Sequence, residues 1–297
     1  MRTGITGGTG FLGRALGQSL LDRGDEVTLF SRRQRQISGY RVAVWDPVKE
    51  PLGAAVLETL DAVVHLAGEP VAGGRWSAER KRRIEESRVL GTRHLVEGWK
   101  ACPTPPKVLL SGSAVGFYGD RGDEILTEAS AVGEGFLAEV SKQWEAETEA
   151  LSKDTRVALL RTGVVLGQGA GALDKMLLPF KLGLGGRLGD GKQWMPWIHV
   201  DDWVRQVVFA LDNDKLQGPM NLTAPTPVTN QEFTKTMGRV LHRPTVLPVP
   251  EFALKLLLGE MANVVMQSQR VLPQASLDEG FVFQHAELTG ALEDLIG

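Results

Sequence analysis

The sequence predicts an α/β fold in which a doubly wound parallel sheet is followed by a smaller mixed α/β domain. Its 297 residues begin with a short apolar run, a glycine-dense turn and an amphipathic segment. Strand-like and helix-like segments then alternate over about 165 residues, which indicates a parallel sheet with helices on both faces. Beyond Gly167, short helices and frequent glycine and proline replace the alternation. This combination is typical of a Rossmann-type sheet, which binds its ligand at the carboxyl ends of the strands.

Composition and charge exclude several classes of protein. The formal net charge of -3 gives no electrostatic reason to expect nucleic acid or an anionic membrane as a partner. The single cysteine, Cys102, rules out an intrachain disulfide, and no cluster of histidine and cysteine indicates a metal site. Because Met1 leads directly into the first strand and the apolar runs are too short to span a bilayer, we expect a cytoplasmic protein. We expect a monomer or homodimer that acts on a small molecule.

The first informative element is the turn between the first strand and the first helix. Gly7 permits a tight turn, Gly10 lets the backbone approach a pyrophosphate, and Gly13 lets the helix lie close to the sheet. The helix, predicted from Phe11 to Arg23, presents its amino-terminal N–H groups to the phosphates. The spacing Gly-x-x-Gly-x-x-Gly is a weak signal alone. Its place between a strand and a helix predicts dinucleotide binding.

The end of the second strand, predicted over 26–31, indicates which dinucleotide binds. A carboxylate about 20 residues after the glycine turn would bind the ribose 2′-hydroxyl of NAD, whereas an arginine accommodates the 2′-phosphate of NADP. The chain has Ser31, Arg32 and Arg33 there, and no acid. An arginine fork matches a phosphate, so the stretch favours NADP(H) over NAD(H). The alternative is a solvated basic loop, which we prefer for Arg35.

The remaining elements follow from apolar periodicity and turn residues. Further strands are predicted at 41–45, 61–65, 107–111 and 156–160. Further helices are predicted at 52–59, 78–100, 136–151, 172–182, 202–211, 251–258, 264–271 and 285–296. We therefore divide the chain into a dinucleotide-binding domain, 1–165, and a smaller substrate-side domain, 166–297. His65 lies inside an apolar run and is expected to be a packed core residue.

Several motifs together resemble the extended short-chain dehydrogenase/reductase family, the NAD(P)-dependent epimerase/dehydratases. The motifs that carry this resemblance are 6–13, 65–68, 111–119 and 198–202. The stretches 161–167 and 180–186 are similar to one branch, labelled epimerase family protein or cell-division-inhibitor-like. The segment from about residue 243 resembles that branch's own terminal domain.

The resemblance implies a set of residues around the cofactor. They are Gly7, Gly10, Phe11, Leu12 and Gly13 at the pyrophosphate; Ser31, Arg32 and Arg33 at the 2′-phosphate; Leu66, Ala67 and Gly68 beside the adenosine; Arg88 from the long helix; Ser111 and Gly112, in the 111–113 stretch beside the nicotinamide; and Val164 and Val165 covering it. His199 and Asp201 belong to a motif that helps to close the second domain on the first, and we expect a buried hydrogen-bonded hinge there rather than a catalytic pair.

The chain departs from the family at its usual catalytic motif. Catalysis there uses a Tyr-x-x-x-Lys pair on the helix after the fifth strand, in which lysine lowers the pKa of the phenol. The only tyrosines are Tyr40 and Tyr118, and neither begins that motif. Ala138 and Lys142 occupy the places of the pair. Ordinary tyrosine-based catalysis is therefore ruled out on this helix.

Three functions remain open. The first is an oxidoreductase or epimerase in which Ser113, Tyr118 and Lys142 are the candidate catalytic residues, with Glu69 or Asp201 as a possible source of a carboxylate. The second is an NADPH-binding protein that acts on a partner without turnover, and the third uses the nucleotide only to stabilise its fold. We favour the first, with a nucleotide sugar or a small carbonyl or alcohol as substrate. For Tyr118 the alternative is a packed turn residue.

Two groups of residues bear on the substrate. The first would give the mouth of the crevice an aromatic or apolar surface, unless it is core packing: Trp76, Trp194, Met195 and Trp197. The second would meet the diphosphate of a nucleotide sugar: Lys181, Arg187 and Lys192.

Overall fold

A parallel sheet of seven strands forms the centre of the computed structural model, which describes residues 1–151, 153–169 and 171–297. The strands of the described residues are β1 (Arg2–Thr6), β2 (Glu26–Ser31), β3 (Arg41–Val44), β4 (Ala62–His65), β5 (Val108–Ala114), β6 (Ile125–Leu126), β7 (Arg156–Thr162), β8 (Val164–Leu166), β9 (Trp194–Met195), β10 (Trp197–His199), β11 (Gly218–Leu222), β12 (Val228–Thr229) and β13 (Arg270–Val271). The order in the main sheet is β11-β7-β5-β4-β1-β2-β3. The predicted doubly wound parallel sheet is confirmed.

Helices cover both faces of this sheet. They are α1 (Phe11–Asp22), α2 (Ala54–Leu57), α3 (Ala78–Ala101), α4 (Phe136–Ala146), α5 (Ala172–Lys181), α6 (Val200–Asp212), α7 (Asn230–Val240), α8 (Glu251–Leu258), α9 (Met261–Met266), α10 (Gln274–Asp278) and α11 (Leu288–Ile296). The helices α1 and α6 pack on one face, and α2, α3 and α4 lie on the other. None of the helices in the described part of the chain has both the length and the apolar character needed to cross a membrane.

The main core lies between the sheet and the pair α1 and α6. Leu16 and Leu20 of α1 meet Trp203 and Val207 of α6, and all four side chains are fully buried. A separate core joins β8 and β10 to α5, α7 and α11, with Trp197 and Phe233 at its centre. The chain beyond residue 165 therefore both covers the main sheet and builds a second core beside it.

Among the elements that the sequence analysis missed are β11 and α7, and one predicted helix is misplaced. The edge strand β11 begins with Gly218 and Pro219, which are poor strand formers, but an edge strand tolerates proline. The helix α7 begins with a capping box in which Thr229 and Glu232 cap each other's backbone N–H groups. The helix predicted at 264–271 is wrong: α9 ends at Met266, and β13 pairs with β6 instead.

Candidate functional site

The strand order places a crevice at the carboxyl edge of the sheet. β1 pairs with β2 on one side and with β4 on the other, so the strand order reverses at β1. In open α/β sheets a ligand binds outside the strand ends at such a point. The glycine turn follows β1, and the stretch 66–68 follows β4. The two predicted cofactor segments are therefore neighbours across this crevice.

The glycine turn is closed on its inner side and open on its outer side. Gly7 has a positive φ of 65°, and the Gly10 N–H donates to the Gly7 carbonyl oxygen at 2.9 Å. A β-carbon on Gly13 would lie 2.4 Å from that same oxygen. A β-carbon on Gly10 would meet only this oxygen, at 3.1 Å, so the outer face has space for a ligand. Since the N–H groups at the start of α1 also lack partners within the helix, the turn fits a pyrophosphate.

A buried histidine joins the two sides of the crevice. The Thr6 hydroxyl oxygen accepts hydrogen bonds from the N–H groups of Leu66 and Ala67, at 3.0 and 3.1 Å. His65 bonds to Thr6 at 2.8 Å through Nδ1 and to Thr92 at 3.1 Å through Nε2. Burial lowers the pKa of His65 to about 4, so the ring is neutral. His65 is a core residue, as the apolar run predicts.

The chain after β8 packs against the start of α1. A β-carbon on Gly167 would lie 2.5 Å from Cζ of Phe11, so the aromatic ring lies directly against this glycine. Val164 and Val165 belong to β8, which pairs in parallel with β10. Phe11 therefore links the glycine turn to the segment predicted to cover the nicotinamide.

The basic residues at the end of β2 are available to a ligand. The buried Ser31 accepts a hydrogen bond from the Arg33 N–H at 3.3 Å. Arg32 and Arg33 are exposed, and neither takes part in any of the ion pairs formed by residues the structure describes. Because β2 lies beside β1, these guanidinium groups are on the same edge of the sheet as the glycine turn.

Arg88 brings a further cation to the carboxyl end of β4. Its guanidinium donates to the carbonyl oxygens of Glu69 and Ile84, both at 3.0 Å, and lies 5.2 Å from the ring centroid of Trp144. A β-carbon on Gly68 would lie 3.3 Å from Cζ of Arg88. Burial lowers the pKa of Arg88 to about 10, while Glu69 opposes the shift, so the side chain is charged at neutral pH.

The predicted catalytic residues Ser113 and Tyr118 belong to one buried network. Ser113 donates to Glu145 at 2.6 Å, and Glu145 accepts two bonds of 2.8 Å from Arg161. Arg161 also donates to the Tyr118 oxygen at 3.0 Å, and Tyr118 donates to Asn221 at 2.7 Å. All five side chains are buried. Sequence reasoning did not select Glu145, Arg161 or Asn221 as site residues. The available signal was a charged residue in a buried strand.

In this network the hydroxyl protons of Ser113 and Tyr118 are both donated to protein acceptors. Tyr118 is fully buried, and burial raises the pKa of its phenol although Arg161 opposes the shift. Burial lowers the pKa of Arg161, but the hydrogen bonds and charges of Glu145 and Tyr118 together outweigh this effect and leave the pKa raised. Since Ser113 donates its proton to Glu145, its oxygen can only accept a hydrogen bond from a ligand.

The other predicted site residues lie outside the network. Lys142 is exposed, and its Nζ lies 3.9 Å from Glu139 on the same helix. Ser111 is buried, and its hydroxyl makes a long bond of 3.5 Å to the Gly112 carbonyl oxygen. The Glu69 carboxylate lies 3.9 Å from Arg80. The structure therefore brings Ser113 and Tyr118 together but does not add Lys142.

The motif around His199 connects α6 to the end of the chain. The buried His199 accepts the Asp201 N–H at 3.1 Å and bonds to Asp294 at 3.2 Å. Its ring stacks on His285 with centroids 3.7 Å apart. Burial and, next, His285 lower the pKa of His199. These contacts hold His199 between α6 and α11, and its role as a hinge stays a prediction.

The sheet, the switch point at β1 and the open glycine turn define a Rossmann-type α/β protein. The chain belongs to the NAD dependent epimerase/dehydratase family, whose model matches residues 4–222. A second model, a domain of unknown function (DUF1731), matches residues 249–295. This match agrees with the separate terminal segment predicted from about residue 243.

Relatives from two organisms cover the whole chain. The epimerase family protein SDR39U1 homolog, chloroplastic, of Arabidopsis thaliana is 40% identical over 307 residues, which are 100% of this chain and 87% of that protein. The epimerase family protein YfhF of Bacillus subtilis (strain 168) is 40% identical over 301 residues, or 100% and 98% of the two chains. These matches confirm the branch that the motifs indicate.

A solved structure of a relative bears on the cofactor. The crystal structure of human epimerase family protein SDR39U1 (isoform2) with NADPH has a TM-score of 0.92 to this chain, at 35% identity, and covers 99% of each chain. The prediction of NADP(H) from the end of β2 agrees with the nucleotide in that relative.

Proposed function

We propose that this chain binds NADPH in the crevice at β1 and is an NADP(H)-dependent oxidoreductase with an atypical active site. The observation that carries this proposal is the glycine turn, where a β-carbon would be blocked at Gly13 but has space at Gly10. Arg32 and Arg33, which are exposed and form no ion pair among the described residues, support NADPH over NADH, as does the NADPH in the human relative. A cytoplasmic location stays an expectation from the sequence.

In this proposal each cofactor segment has a separate task. The pyrophosphate is held by Gly7, Gly10, Phe11, Leu12 and Gly13; the 2′-phosphate by Ser31, Arg32 and Arg33; the adenosine side by Leu66, Ala67 and Gly68; and the nicotinamide end by Ser111, Gly112, Val164 and Val165. Arg88 of α3 points to the cofactor, and its position beside Gly68 suits a ribose or phosphate oxygen.

The chemistry at the nicotinamide end differs from that of the family. Bound NADPH supplies a hydride. Ser113 accepts a hydrogen bond and orients the ligand, because its own proton goes to Glu145. Tyr118 supports the fold around Ser113, and Lys142, which is exposed and lies beside Glu139, takes no part in this chemistry. The proton for a reduced substrate therefore comes from solvent.

The second candidate is an NADPH-binding protein that acts on a partner, for example in cell division, without turnover. The same network favours it, because neither Ser113 nor Tyr118 has a proton free for a substrate. The alternative in which the nucleotide only stabilises the fold predicts the same binding and no partner.

A panel assay separates the two candidates. Purified protein is incubated with NADPH and a range of nucleotide sugars, aldehydes, ketones and quinones, and the absorbance of NADPH is followed. Consumption of NADPH with any of them supports the oxidoreductase. If NADPH raises the melting temperature but no compound is reduced, the chain is a binding protein. If NADPH neither binds nor reacts, both candidates are wrong.

A further inference from the structure

An aromatic pair formed by Trp76 and Phe136 lies outside the set of cofactor residues. The rings of Trp76 and Phe136 meet edge to face, with centroids 5.2 Å apart at 73°. Trp76 follows β4 by way of the 66–77 loop, and Phe136 is the first residue of α4, which packs against β5. Both side chains are partly exposed. The pair therefore stands beyond the carboxyl ends of the two strands that carry Gly68 and Ser113.

Several contacts hold this pair in place. The Trp76 indole N–H donates to the Val71 carbonyl oxygen at 3.1 Å, inside the 66–77 loop. Lys81 Nζ lies 5.9 Å from the Trp76 centroid and 5.6 Å from that of Phe136. Lys81 also forms an ion pair with Glu260, in the turn between α8 and α9. Lys81 and Glu260 thus link the aromatic pair to the C-terminal segment.

We infer that Trp76 and Phe136 form one wall of a substrate pocket for a flat, conjugated carbonyl compound of the quinone class. The inference rests on the proposed function, because it takes the ligand to lie beside Ser113 and the nicotinamide. An aromatic wall binds a planar ring by face and edge contact and needs no hydrogen bond to it. A cation 5.6 to 5.9 Å above both rings also suits the electron-rich product of reduction.

The proton arrangement at Ser113 selects the same class of compound. Reduction of an ordinary ketone or aldehyde needs an acid to protonate the forming alkoxide. Ser113 and Tyr118 donate their protons to Glu145 and Asn221, and Ala138 stands at the place of the phenol. A quinone needs no such acid, because its reduced anion is stabilised by conjugation. One hydride, supplied by NADPH, and one proton, taken from water, convert the quinone into its hydroquinone and leave NADP+.

A calorimetric titration in the presence of saturating NADP+ tests this inference without turnover. The ligands are 2-methyl-1,4-naphthoquinone, UDP-glucose and glyceraldehyde. We expect the naphthoquinone to bind most tightly, and Trp76→Ala or Phe136→Leu to weaken it about tenfold through loss of ring contact. Trp76→Phe keeps an aromatic wall and is expected to stay within about threefold of the parent. Phe252→Ala, at an aromatic residue of α8 that is 74% exposed, is the matched control and should change nothing.

The outcomes are distinguishable from failure of the proposed function. Tighter binding of UDP-glucose or glyceraldehyde than of the naphthoquinone overturns the inference, as does unchanged naphthoquinone affinity in Trp76→Ala or Phe136→Leu. Loss of NADP+ binding by the parent protein would instead overturn the proposed function. If Trp76→Ala fails to fold by circular dichroism, Phe136→Leu and Trp76→Phe decide the question.

Discussion

Arg161 donates two hydrogen bonds of 2.8 Å to Glu145, and both side chains are buried near the carboxyl end of β5, where Glu145 also accepts from Ser113. Removal of one partner leaves an uncompensated buried charge, which costs about 3 to 5 kcal/mol. We therefore predict that Arg161→Met lowers the free energy of unfolding, measured in urea, by this amount. Arg93→Met breaks the more exposed pair with Glu147 and should cost less than about 1 kcal/mol. Equal losses of unfolding free energy in the two variants would show that the buried ion pair contributes no more to stability than the exposed one.

Two variants of the glycine turn are expected to change different properties: Gly13→Ala the stability of the fold, and Gly10→Ala the affinity for NADPH. Gly13→Ala places a β-carbon 2.4 Å from the Gly7 carbonyl oxygen and is expected to cost about 1 to 3 kcal/mol of stability. Gly10→Ala has space in the free protein, so it should fold normally but weaken NADPH about tenfold or more, because its methyl group occupies the path of the pyrophosphate. Thermal unfolding with and without NADPH measures both effects. Unchanged NADPH affinity in Gly10→Ala would move the phosphates away from this turn.

The residues after β2 determine the choice between NADPH and NADH. Arg32→Ala combined with Arg33→Ala removes the cations expected at the 2′-phosphate, and charged hydrogen bonds are each worth about 1.5 to 3 kcal/mol. We predict that the double variant loses about tenfold to a hundredfold in NADPH affinity and less than about threefold in NADH affinity. Arg35→Ala serves as the control in the same loop. An equal loss for both nucleotides would remove the 2′-phosphate assignment.

His65 gives the stability a pH dependence with a defined sign. Burial lowers the pKa of His65 in the folded state to about 4, whereas the unfolded chain has the ordinary value of about 6.5. As the pH falls through this window the unfolded state takes up the proton first, so stability is lost, in total by on the order of 3 kcal/mol. His65→Gln should flatten the curve of unfolding free energy against pH between 6.5 and 4.

The control for this curve is His242→Asn. His242 is exposed and has a positive φ of 52°, which asparagine tolerates. Its replacement should leave the pH dependence as it is in the parent protein. A curve for His65→Gln that runs parallel to the parent's would show that this histidine is not the buried neutral group described above.

Local patterns in the sequence predict much of the main sheet. The apolar runs and turn residues place β2 and β4 within a residue or two, because each is a short buried strand next to a turn. β11 escapes the same reasoning, since Gly218 and Pro219 weaken its pattern and only its pairing with β7 makes it a strand. Tertiary pairing, not local propensity, decides that element.

The candidate site also has a part that local sequence patterns predict and a part that depends on the fold. The glycine turn and the stretch with Arg32 and Arg33 are each local in sequence. Their similarity to a nucleotide site can therefore be recognised from the sequence alone. The network under Ser113 is not, because Tyr118 and Asn221 are 103 residues apart and Glu145 and Arg161 are 16 apart. Only the fold brings these four side chains together, and their partners decide whether a hydroxyl is free to act on a substrate.

Equilibrium titration of the purified chain with NADPH and with NADH, measured by calorimetry, tests most directly whether the crevice at β1 binds NADPH. We predict saturable binding of NADPH with a Kd on the order of 1 μM, and binding of NADH that is weaker by about tenfold or more. The absence of measurable heat with NADPH, confirmed by an unchanged melting temperature at millimolar nucleotide, would contradict the assignment of this crevice.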